Sequence, residues 1–228
     1  MRMTADAIVF DLDGTLLDTL DDIADSANRA LEREGFPTHP RGDFRRFIGD
    51  GVQMLVKRAL PPESGDPATI DRVVEAYRVE YAAGWDRETH PYPGVEDLLD
   101  ALVARGLKLA VLSNKPDEFT QLCVGHYLGR WPFECVLGHR PEWPRKPSPE
   151  SARHVAAGLG VSPDRCAFVG DSVADVLTAK AAGMRPVAVS WGFQDAEILA
   201  GAGAEVVIDR PSDLLEFLDG RGAKEPRG

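Results

Sequence analysis

The sequence predicts an α/β protein, a doubly wound and mostly parallel sheet with an inserted all-helical segment. Three observations predict it. Short apolar runs at residues 7–10, 107–112, 135–137, 166–169, 186–189 and 206–208 show no polar alternation, as expected of strands buried on both faces. From Val95 onward they alternate with helical patterns, the arrangement of parallel strands joined by crossover helices. Between Asp18 and Thr89 no strand pattern occurs, so a purely helical unit interrupts the alternation.

In chain order, the first strand runs directly into Asp11-Leu12-Asp13-Gly14-Thr15. Thr19 and Asp22 have the spacing of a capping box, opening a helix to about residue 34 that Gly35 and Pro37 end. Ile23, Ala27, Ala30 and Leu31 form its apolar face. Phe44, Phe47 and Ile48 mark a short helix ended by Gly49-Asp50-Gly51. Val52, Leu55, Val56 and Ala59 mark another, and a longer one spans about residues 68–84. Pro91, Pro93 and Gly94 make the return stiff and irregular. Helices then cover about 95–105, the stretch to 127, 149–159, 173–182 and 214–218. These limits divide the chain into core (1–17), helical cap (18–88), core again (89–220) and a polar, disordered tail (221–228).

The 228 residues are 43% hydrophobic, enough for a substantial core, and the formal net charge is -11. That balance argues against a partner such as nucleic acid, which needs a basic face. No stretch is long and apolar enough to span a membrane, and the first strand follows Met1 with no secretory apolar segment. Cys123, Cys135 and Cys166 show no metal or redox spacing and read as small buried residues in a reducing cytoplasm. The five histidines show no metal spacing either.

Chemistry is expected at the strand ends, because open α/β sheets hold their sites beyond the carboxyl ends of the strands. Asp11 and Asp13 would stand there together, repelling by about 1 kcal/mol in water and ~4 kcal/mol near a protein surface. A cation removes that conflict. Mg²⁺ suits it, since it takes carboxylate and phosphate oxygens. The ordinary alternative is an acid-rich helix cap. Three further strand ends carry Ser113 and Asn114, Lys146, and Asp171 with Asp175. Each has its own ordinary explanation as a cap or a solvated lysine. Together they suit phosphate and Mg²⁺.

Asp-Leu-Asp-Gly-Thr-Leu-Leu-Asp-Thr, Leu-Ser-Asn-Lys-Pro, Arg-Lys-Pro-Ser-Pro and Gly-Asp-Ser-Val-Ala-Asp resemble the four ordered motifs of the haloacid dehalogenase superfamily. The helical insertion resembles that superfamily's helical cap on a Rossmann-like core. Phe47 to Val52, Pro91 to Val95 and Ser190-Trp191-Gly192-Phe193 are similar to its phosphoglycolate phosphatase branch. The resemblance implies Asp11 as nucleophile forming an aspartyl-phosphate, and Asp13 as the acid that protonates the leaving oxygen and then activates water. It implies Mg²⁺ held by the Asp11 carboxylate, the Asp13 backbone carbonyl and Asp171. Thr15, Ser113, Asn114 and Lys146 would hold phosphate, with Lys146 also stabilising the transferring group and Asp175 supporting it. Four carboxylates against Mg²⁺ and one lysine leave one negative charge too many, so Asp13 is expected to carry a proton.

The partner implied is a small phosphorylated metabolite, most simply 2-phosphoglycolate, acted on by a monomer or homodimer. Cap cations Arg41, Arg45, Arg46, Lys57 and Arg58 are either a solvated face or include one or two that read a substrate anion. Arg45 is the first choice because it flanks Phe44 and Phe47, and Gly49 and Gly51 would bring backbone N–H groups over the site. Other readings stay open: a sugar-phosphate, nucleotide or pyrophosphate phosphatase, a phosphoglucomutase-type transferase, and more distantly a receiver-like signalling domain that retains its phospho-aspartate.

Overall fold

A computed structural model describes residues 5–220. Residues 1–4 and the tail 221–228 lie outside the described residues. Six strands form one sheet: β1 (Ala7–Phe10), β4 (Lys108–Pro116), β5 (Phe133–His139), β6 (Cys166–Gly170), β7 (Arg185–Val189) and β8 (Val206–Ile208). Their spatial order is β5-β4-β1-β6-β7-β8, and every pairing is parallel. The first strand therefore sits in the middle, and the order reverses there. Its carboxyl end is the topological switch point where doubly wound sheets place their ligands.

Both faces of the sheet are covered, which is why the strands lack polar alternation. On one face Ile8, Phe10, Leu109, Val111, Ala167 and Val169 pack with Leu98, Leu99 and Leu102 of α4 (Val95–Ala104) and Leu214 of α9 (Asp213–Leu218). On the other, Ala7, Val9, Ala110, Leu112 and Phe168 pack with Val155 and Leu159 of α6 (Glu150–Leu159) and Ala179 of α7 (Val173–Ala182). Helix α5 (Asp117–Tyr127) covers β4 and β5, and a short α8 (Ala196–Gly201), which the sequence pattern did not signal, lies beside β7 and β8. Cys123 and Cys166 are buried as expected, whereas Cys135 is only half-buried.

The insertion holds α1 (Leu20–Arg33), α2 (Val52–Ala59) and α3 (Pro67–Ala82), with a 3-10 helix at Arg41–Arg46 where the phenylalanine pattern suggested a short helix. It has its own apolar cluster, including Ile23, Phe44, Leu55, Val73, Tyr77 and Tyr81. Two antiparallel strands, β2 (Leu17–Asp18) and β3 (His90–Pro91), form the neck between insertion and sheet. Periodicity cannot reveal strands of two residues.

The proposed capping box at Thr19 is absent. Thr19 makes no side-chain cap bond. Asp22 is 2% exposed and turns across the neck instead. Its carboxylate accepts the backbone N–H groups of Arg87, Glu88 and Thr89 and the Thr89 hydroxyl, at 2.7–3.1 Å. Asp22→Ala strands three backbone donors, so it should lower unfolding free energy by roughly 2–4 kcal/mol in urea titrations. Asp22→Asn, which keeps one acceptor, should lose less.

Candidate active site

The strands that end near the middle of the sheet deliver the polar groups of the site. Asp11 follows β1, and two donors fall on its Oδ1: the Leu12 N–H at 2.7 Å and the Lys146 ammonium at 2.8 Å. Among the described residues Oδ2 accepts nothing. Lys146, 4% exposed, also donates to Asp175 Oδ1 at 2.6 Å and to the Leu112 carbonyl at 3.1 Å. Its three N–H bonds are thus spent on two carboxylates and one carbonyl, and a phosphate contact would require one of them to open.

Asp175 lies in the first turn of α7. A Ser172–Asp175 capping box holds it, the Ser172 N–H and hydroxyl donating to Asp175 Oδ2 at 3.0 and 2.6 Å. The ordinary capping role and the functional placement are here the same structure. Asp171 accepts from the Thr15 hydroxyl at 3.3 Å and from the Phe193 N–H at 2.7 Å. The 190–193 stretch therefore contributes the last wall: the Trp191 indole also donates to the Thr15 carbonyl at 3.0 Å. Gly14 has a φ of +82°, and a Cβ there would lie 2.3 Å from Asp171 Oδ2. A Cβ on Gly192 would lie 2.2 Å from that of Asp171. Only glycine permits both approaches.

Oxygens of Asp11, Asp171 and Asp175 come within 4.8 Å of one another. Burial, and then repulsion by Asp175, push the Asp11 carboxyl up to about 7, against the pull of Lys146. Burial and the neighbouring carboxylates of Asp11 and Asp175 push Asp171 well above the usual range. A hard, all-oxygen donor set that resists ionisation in this way fits a divalent cation such as Mg²⁺.

A second lysine, not assigned a role from the sequence, completes the site. Lys115 is 7% exposed. Its ammonium lies 2.8 Å from Asp13 Oδ1 and 4.7 Å from the centre of the Tyr81 ring. Four carboxylates thus face two buried ammonium groups. No local pattern in the sequence signals Lys115, because its partner Asp13 lies 102 residues earlier.

Ser113 lines the cleft, its hydroxyl accepting the Lys115 N–H at 3.3 Å. Asn114 also lines it, but its side chain is committed. It donates to the Gly49 and Lys146 carbonyls at 3.0 and 3.1 Å and accepts the Lys146 N–H at 2.8 Å. It ties the lysine loop to the helical insertion.

Above these groups lies a cleft roofed by Gly49, Gly51, Val52 and Leu55 and walled by Tyr77, Tyr81 and Phe119. None of Arg41, Arg45, Arg46, Lys57 and Arg58 lines it. Arg41 pairs with Asp21 and Asp25, Arg46 with Asp43, and Arg58 with Asp50 and the Phe47 carbonyl. Arg45 crosses to the core and donates to the Gly192 carbonyl. The structure thus gives Arg45 to the seam between insertion and core rather than to the cleft.

A doubly wound core that gathers carboxylates around a buried lysine, beneath a helical insertion, fits a hydrolase. The comparisons with known proteins say which kind. A family model for haloacid dehalogenase-like hydrolases matches residues 5–183. The chain belongs to that family, and it is a phosphoric monoester hydrolase of the phosphoglycolate phosphatase-like branch. Phosphoglycolate phosphatase 1 of Pseudomonas aeruginosa is 34% identical over 221 residues, covering 93% of this chain and 79% of its own. The phosphoglycolate phosphatase of Rhodospirillum rubrum is 34% identical over 229 residues, covering 97% and 93%. The crystal structure of a Lactobacillus delbrueckii protein matches with a TM-score of 0.89 and 33% identity, covering 97% of this chain and all of the other. Among the described residues no helix is long and apolar enough to cross a membrane.

Proposed function

We propose that this protein hydrolyses 2-phosphoglycolate in two displacements, with Mg²⁺ as cofactor. The observation that carries the chemistry is the meeting of Asp11, Asp171 and Asp175 with Lys146 at the switch point of the sheet. The substrate rests on the relatives named above and on the small, partly apolar cleft.

Asp11 Oδ2 attacks phosphorus while Lys146 and the Leu12 N–H hold Oδ1. The ester P–O bond breaks and the leaving oxygen takes a proton from Asp13. Asp13 then takes a proton from water. The water oxygen attacks the aspartyl-phosphate, releasing inorganic phosphate and restoring the Asp11 carboxylate. Asp11 and Asp171, with the Asp13 backbone carbonyl, would hold Mg²⁺, which supplies positive charge to the nucleophile and the phosphoryl oxygens. Asp175 positions Lys146. The Gly49–Gly51 loop roofs the cleft, so product release is expected to depend on its opening.

The test is phosphate release from a panel containing 2-phosphoglycolate, hexose phosphates, nucleoside monophosphates, pyrophosphate and an aryl phosphate, with Mg²⁺ and with EDTA. 2-Phosphoglycolate should stand well above the rest, and EDTA should stop its hydrolysis. Another dominant ester would keep the chemistry and replace the substrate. No hydrolysis at all would favour a mutase or a signalling domain.

A further inference from the structure

Lys115 is the buried charge that the two displacements do not use. Among the described residues lining the cleft it is the one cationic side chain. Its side chain is 4% exposed. Asp13 is its one ionic partner, and its ammonium donates to no other described side chain or carbonyl. An ammonium has three N–H donors, so two have no described acceptor, though one side of the group rests on the Tyr81 ring. A buried charge with unspent donors favours an anion. The insertion's arginines are already engaged elsewhere.

We propose that Lys115 reads the carboxylate of the substrate and so selects small carboxylate-bearing phosphate esters. The inference rests on the function proposed above. Its geometry follows from what Asp13 must do. Asp13 has to meet the ester oxygen, and in phosphoglycolate a single CH₂ separates that oxygen from the carboxylate. A cation 2.8 Å from Asp13 is therefore placed where the carboxylate arrives. The substrate carboxylate replaces Asp13 on the lysine, and Asp13 is left to face the ester oxygen. An ester without the carboxylate leaves Asp13 tied to Lys115. A bulkier leaving group meets Tyr77, Tyr81 and Phe119. Recognition and alignment of the acid are then one exchange of partners.

The test compares kcat/KM on 2-phosphoglycolate with that on 2-hydroxyethyl phosphate, an ester of the same length without the carboxylate, in the wild type and in Lys115→Met. The wild type should prefer phosphoglycolate by about 100-fold or more. Lys115→Met should erase most of that preference, chiefly through a higher KM for phosphoglycolate. Lys115→Arg should retain much of it. A preference that survives in Lys115→Met, or an equal loss on both esters, overturns the role of Lys115 and leaves the proposed function standing. A wild type with no preference overturns both. Should thermal melting show Lys115→Met unfolded, the wild type itself decides with 2-phosphoglycolamide, in which an uncharged amide replaces the carboxylate. Hydrolysis should fall about 100-fold, and undiminished hydrolysis of the amide overturns the proposal.

Discussion

Asp11→Asn is expected to lower kcat by at least about 10⁴-fold on every ester while leaving the protein folded. The amide keeps the shape of the side chain and can still accept from the Leu12 N–H, but it cannot attack phosphorus. Lys146 loses one partner and keeps two, Asp175 and the Leu112 carbonyl, so the floor of the site should hold. Without metal, the variant should be the more stable protein at pH 8. There the wild type must ionise a buried carboxyl whose pKa is pushed up to about 7, and the amide carries no charge to repel Asp175 or Asp171. The check is a pair of measurements on one preparation, turnover with Mg²⁺ and melting temperature in EDTA. Metal-dependent turnover in the variant would remove Asp11 from the nucleophile's place. A large fall in melting temperature would mean that the Asp11–Lys146 pair holds the fold together, contrary to the burial argument.

The core of this molecule was legible because its strands are short, apolar and ended by chemistry-bearing residues. β1 ends at Phe10 before Asp11, β6 at Gly170 before Asp171, and each polar group at a strand end lies at or beside the same switch point. Partner choice was harder to read. The Thr19–Asp22 spacing satisfied a local rule, yet Asp22 reached across the neck to residues 87–89, because three strand-end donors outcompete one helix cap. Arg45 was the natural candidate for an anion, but what lies opposite it is the Gly192 carbonyl of a loop 147 residues away. Lys115 stands inside the Leu-Ser-Asn-Lys-Pro stretch. Its importance comes from Asp13, 102 residues earlier, and no spacing rule links the two. The neck strands, two residues each, carry no periodicity at all. What escaped the sequence was chiefly long-range pairing, which local patterns do not encode.

Divalent metal should stabilise the protein more at pH 8 than at pH 5.5. The carboxyls of Asp11 and Asp171 are both raised, by burial first and by their acidic neighbours next. A raised carboxyl binds its proton more tightly folded than unfolded. Its favourable contribution is therefore complete below the unfolded value near 4 and is lost as pH rises through the folded value. For Asp11, moving from the ordinary 3.8 to about 7 corresponds to roughly 4 kcal/mol of lost stability above neutrality. Metal-free protein should thus weaken between pH 5.5 and 8. A cation binds only the ionised carboxylates, so it competes with protons at low pH and is least opposed at high pH. Melting scans in EDTA and in Mg²⁺ at the two pH values measure this directly. The net charge of -11 also repels more as pH rises, but that effect is spread over the surface and is unchanged in kind by one substitution. Asp11→Asn separates the two: its metal-free stability should fall less with pH, and Mg²⁺ should raise its melting temperature less. An identical pH dependence in wild type and variant would place the acid-sensitive charge outside the Asp11–Asp171–Asp175 cluster.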